Sequence, residues 1–102
     1  MTEWEICEHP DFFKDLDKLS KTDLEIFFKK KKKIRENPER LKHLRGGTNC
    51  YREPITENIR LVYFLQGTVI WLLTIGKHDE AYKAYAKRLH TLRAKLQNET
   101  TK

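Results

Sequence analysis

At 102 residues and 12.3 kDa the chain is sized for one domain, residues 1–102, with a small core resting on eleven aromatic residues. No apolar run is long enough to cross a bilayer, and the first twenty residues hold acids and a proline where a signal peptide has an apolar core, so the expected location is the cytoplasm, with Cys7 and Cys50 as thiols. A net charge of +6 and a pI near 9.4 point to a polyanionic partner, nucleic acid being the commonest, with a lysine face kept for solubility as the alternative.

Residues 3–7 alternate acidic and apolar side chains, the period of a short strand. Pro10 and Asp11 open a helix whose apolar residues Phe12, Phe13, Leu16 and Leu19 share one face. Thr22 followed by Glu25 is a capping-box pattern for a second helix, with a buried stripe of Leu24, Phe27, Phe28 and Ile34. Lys31 falls in that stripe and has to snorkel past it. Asn37–Pro38 ends the helix, and a turn near Ser20 makes the pair a helical hairpin. Residues 39–48 form a polar connector ending in Gly46–Gly47.

Strands are expected over Cys50–Ile55, Ile59–Leu65 and Val69–Ile75, with turns at Glu57–Asn58 and Gln66–Gly67. In the middle one, Ile59, Leu61, Tyr63 and Leu65 share one face, and Arg60, Val62 and Phe64 the other. The nearly continuous apolar run Val69–Ile75 belongs at the centre of a sheet. A long helix is expected over Asp79–Gln97, with a narrow seam of Tyr82, Tyr85, Leu89, Leu92 and Leu96 that packs on the sheet or on a partner. The order β-α-α-β-β-β-α is an α+β domain: an N-terminal helical hairpin packed on a mostly antiparallel four-stranded sheet, with a long C-terminal helix.

Several chemistries find no support. The four histidines and two cysteines have no zinc spacing, no phosphate-cradling glycine loop is present, and Ser20 is the only serine. Cys50 reads as a buried structural thiol before it reads as a partner for His78. What remains is cationic. Residues 1–28 hold three bases against eight acids, whereas residues 29–45 hold nine bases against two acids. Lys29, Lys30, Lys32, Lys33, Arg35, Lys42 and Arg45 of that second segment suit a phosphate-binding surface, or a solvated face. On the strand half, Arg52, Arg60, Lys77, His78 and Tyr82 form a second set, in which topology makes Arg60 and Lys77–His78 neighbours. Such a set suits metal-free RNA cleavage, in which a ribose 2′-OH attacks its own phosphate. That reaction needs a base, an acid and cations for the phosphorane charge. The plainer readings are an Arg60 that snorkels or pairs with an acid such as Asp15 or Asp17, and a Tyr82 that belongs to the core.

Leu44-Arg45-Gly46, Cys50-Tyr51-Arg52, Ile59-Arg60-Leu61-Val62-Tyr63 and Ile75-Gly76-Lys77-His78-Asp79-Glu80-Ala81-Tyr82 resemble the RelE/ParE toxin superfamily, most closely its RelE branch. The resemblance covers the chain in element order and is specific over residues 44–82. It implies a toxin of a type II toxin–antitoxin module, a ribosome-dependent mRNA endonuclease that works without metal or cofactor in the ribosomal A site. It implies a cognate acidic antitoxin, the 70S ribosome and mRNA as partners, with operator DNA reached only through the antitoxin complex. Arg60 matches the family's strand arginine, Arg52 its lysine after Cys-Tyr, Lys77 and His78 its basic pair after glycine, and Tyr82 its helix tyrosine. Pro54 falls where the branch has a second strand lysine, a candidate general base, so His78 or a lysine of the basic segment would have to take that task. A ParE-like gyrase inhibitor, or a weakened toxin acting as a binding or corepressor module, is the alternative.

Overall fold

The structure, a computed structural model, describes residues 4–38 and 49–100; Lys42 and Arg45 lie outside the described residues. Its elements are β1 (Glu5–Glu8), α1 (Phe12–Asp17), α2 (Lys21–Glu36), β2 (Cys50–Pro54), β3 (Ile59–Gln66), β4 (Val69–Lys77) and α3 (His78–Thr100). The four strands form one sheet in the order β1-β4-β3-β2. β1 runs parallel to β4, and the other two pairings are antiparallel. The apolar run of β4 therefore has a strand on either side and a helical layer over each face, the burial that its composition demands.

One face carries Leu61, Tyr63, Leu65, Ile70 and Leu72 against Phe12 of α1 and Phe27 and Ile34 of α2. Phe12 and Phe27 are fully buried with rings 5.8 Å apart, a burial worth about 2 kcal/mol for each side chain. The opposite face carries Cys50, Val62, Phe64 and Leu73 against Leu89 and Leu92 of α3, with Tyr82, Tyr85 and Leu96 alongside. The long seam of the last helix is thus used within the chain.

Three local expectations need correction. α2 begins two residues early: Ser20 is the N-cap, its hydroxyl accepting the Asp23 amide N–H at 3.1 Å, so Thr22 and Glu25 lie inside the helix. Phe13 and Phe28 are exposed, at 54% and 57%. Each follows a buried phenylalanine and lies about 100° further round its helix. β4 runs on to Lys77, and α3 starts at His78 with no intervening loop.

Beyond Leu72, β4 has no strand neighbour on its β1 side among the described residues. Asp15 of α1 and Arg88 of α3 close that edge. The Ile75 amide donates to Asp15 Oδ2 at 3.2 Å, and Arg88 Nη1 donates to the Leu73 carbonyl at 2.8 Å. The two side chains also pair with each other, Arg88 Nη1 and Nη2 donating to Asp15 Oδ2 and Oδ1. Asp15 is therefore the partner of Arg88, not of Arg60.

Candidate active site

Strand register sets the geometry. Arg60 lies directly opposite Pro54 on one side and Gly76 on the other, and Arg52 lies opposite Val62. Directly opposed residues share a face, so Arg52, Pro54, Arg60 and Gly76 all belong to the α3 face, at the end of the sheet where α3 begins. Arg52 is exposed and Arg60 half-buried. Arg60 Nη1 donates to the Thr56 and Ile59 carbonyls, tying the guanidinium to the turn before β3. A guanidinium has five N–H donors in a rigid fork, so its remaining nitrogens keep donor capacity for a phosphate.

A bulge decides what stands beside Arg60. Val62 pairs with Thr74 but Tyr63 pairs with Leu72, which leaves Leu73 as the extra residue of β4. Leu73 packs on the α3 side, and the Thr74 hydroxyl on the same side donates to the Ala81 carbonyl at 3.2 Å. From there the alternation is reversed. Gly76 takes the α3 face opposite Arg60, while Lys77, opposite Ile59, falls on the other face and is exposed. Arg60 and Lys77 are neighbours at the sheet end, as topology requires, but on opposite faces. His78 is the first residue of α3, and its side chain lies outside what the structure describes. Tyr82, one turn further on, is half-buried against the Val62–Phe64–Leu73 cluster and shares the face of Arg52 and Arg60.

One more group stands at this end, Glu80. A Cβ built on Gly76 would lie 3.8 Å from Glu80 Oε2, so the carboxylate stands over the glycine. Glu80 also lines a cleft of about 570 Å³ with Glu57, Asn58, Lys77 and Asp79.

The basic run of α2 lies across the sheet from Arg52 and Arg60 and is not uniform. Lys30 reaches the buried Glu53 of β2 at 3.9 Å, and Lys31 reaches Glu8 of β1 at 3.4 Å. These two lysines tie the helix to both outer strands. Arg35 Nε donates to the Trp4 carbonyl at 3.2 Å. Lys29, Lys32 and Lys33 are exposed. Cys50 is fully buried and its thiol is pushed up by desolvation, the environment of an inert structural thiol. Among the described residues, no three His, Cys, Asp or Glu side chains group as a metal site, and no helix is long and apolar enough to cross a membrane.

The arrangement of hairpin, sheet and closing helix is found in solved toxin structures. A mutant of the E. coli toxin RelE in the free state superposes with a TM-score of 0.73 at 28% identity, over 84% of this chain and 97% of that one. The intact E. coli RelBE toxin–antitoxin complex matches with a TM-score of 0.66 at 28% identity, over 72% of this chain and 95% of that one. An archaeal RelE–RelB complex from Pyrococcus horikoshii, with a TM-score of 0.61 at 22% identity over 76% of this chain and 96% of that one, shares the fold. No family model and no curated protein sequence matches the chain. The fold is that of the RelE-type toxin superfamily.

Proposed function

We infer that the chain is the toxin of a type II toxin–antitoxin module and that it cleaves mRNA on the ribosome. The observation that carries this reading is the convergence of Arg52, Arg60 and Tyr82 on one face, at the sheet end where His78 opens α3, within a RelE fold. In this reading Arg52 and Arg60 hold the scissile phosphate and offset the charge that builds on its oxygens. Tyr82 orients the phosphate, and Lys77 adds positive charge at the sheet end. His78 gives a proton to the departing 5′-oxygen, since a histidine exchanges protons near neutral pH and an arginine does not. The exposed lysines of α2, on the other face, take ribosomal RNA, and an acidic antitoxin neutralises the same cations. The likeness to the E. coli RelBE complex supports such a partner.

Replacing Arg60 with Ala is expected to abolish growth arrest while leaving the fold intact, because losing one charge-stabilising donor costs about 10²–10³ in rate. A folded Arg60→Ala protein that arrests growth at the wild-type level contradicts the reading. One observation favours the weakened-toxin alternative: Pro54, directly opposite Arg60, puts a side chain that handles no proton where the RelE branch has a lysine.

A further inference from the structure

Pro54 stands where the resemblance implies a strand lysine, a candidate base, and the row across the sheet end shows what stands nearby. Pro54, Arg60 and Gly76 are consecutive across β2, β3 and β4 on one face. Pro54 offers no acceptor. Gly76 offers no side chain, and the Glu80 carboxylate of the first turn of α3 stands over it, with Oε2 3.8 Å from where a Cβ on Gly76 would lie. Gly76 is the register partner of Arg60, so the carboxylate stands over the strand next to that of Arg60. Its place over this face follows from the bulge at Leu73, which brings Gly76 to the α3 side. Glu80 is exposed and also borders the cleft with Lys77 and the Glu57–Asn58 turn, so substrate can reach it. An acid in the first turn is favoured by the helix dipole, which accounts for a carboxylate there but not for its seat over Gly76.

We propose that Glu80 is the general base of this chain, taking the proton of the ribose 2′-OH. The inference rests on the ribonuclease reading above. The 2′-oxygen attacks the adjacent phosphorus as its proton passes to the Glu80 carboxylate. The P–O5′ bond breaks, and the 5′-oxygen takes a proton from His78. The products are a 2′,3′-cyclic phosphate and a 5′-hydroxyl, with no other reactant. Arg60, in the same row, holds the phosphate whose neighbouring hydroxyl Glu80 deprotonates, so the two groups act on adjacent atoms of one nucleotide.

The test is single-turnover cleavage of mRNA on programmed ribosomes by the wild-type chain, E80Q and E80D, with ribosome affinity measured alongside. Glutamine keeps the size and hydrogen-bonding capacity of the side chain but cannot take the proton. E80Q is expected to lose about 10²–10⁴ in the cleavage step at unchanged ribosome affinity, with E80D retaining part of the rate. E80Q cleaving at the wild-type rate overturns the assignment of Glu80 and leaves the ribonuclease reading standing. An E80Q defect confined to ribosome affinity also overturns it. A wild-type chain that cuts nothing on ribosomes overturns the ribonuclease reading and this inference with it.

Discussion

His9 shows how one buried side chain sets a pH dependence. It follows β1, is 6% exposed, and accepts the Asp11 amide N–H at Nδ1, 3.1 Å away. That bond requires the neutral ring. Burial pushes His9 below its ordinary value of 6.5; Arg88 and Lys95 push the same way, and Asp11 and Asp15 oppose them. The unfolded chain therefore takes up a proton at a higher pH than the folded chain does. Stability from this group is fully present above about pH 6.5 and falls as pH drops from there toward the lowered folded value. The urea midpoint of the wild type is expected to fall between about pH 7.5 and about pH 5.5. Asparagine carries an acceptor near the position of Nδ1 and does not titrate, so His9→Asn should flatten that slope. An unchanged slope in His9→Asn would show that another group sets it.

Among the elements, α2 combines two roles along one run of lysines. Lys30 and Lys31 hold acids on opposite edges of the sheet, and Lys29, Lys32 and Lys33 face solvent. Replacing those three exposed lysines with Gln should weaken ribosome association and lower its salt dependence by about one unit of slope for each phosphate no longer neutralised, with little effect on fold stability. Affinity unchanged across a salt series would return them to the role of a solvated face. The element order, the strand faces and the hairpin of helices are all legible in the sequence, because alternation and helical spacing report burial directly. The exposure of Phe13 and Phe28 is not, because a run of two phenylalanines does not show which of them faces the sheet. The start of α2 is ambiguous because Ser20 and Thr22 both precede an acid by three residues, and only the folded backbone shows which of them caps.

For the whole molecule, the sheet separates two surfaces: exposed lysines of α2 over one face, and Arg52, Arg60 and Tyr82 with α3 over the other. The charge run and the strand arginines that mark these surfaces are visible as residues. Their grouping is visible only in part. A one-residue bulge decides that Gly76 rather than Lys77 stands beside Arg60, and nothing in an apolar run such as Val69–Ile75 shows where its pairing slips. Glu80 escapes the sequence for the same reason, since its seat over Gly76 follows from that slip. The central claim is that this molecule cuts mRNA only where a ribosome presents it. Its most direct test is to add the purified chain to a translating extract and map mRNA 5′-ends with and without ribosomes. New 5′-ends within the translated frame, absent when ribosomes are omitted, are the predicted result. Intact mRNA in the translating extract, or the same cuts in naked mRNA, would contradict it.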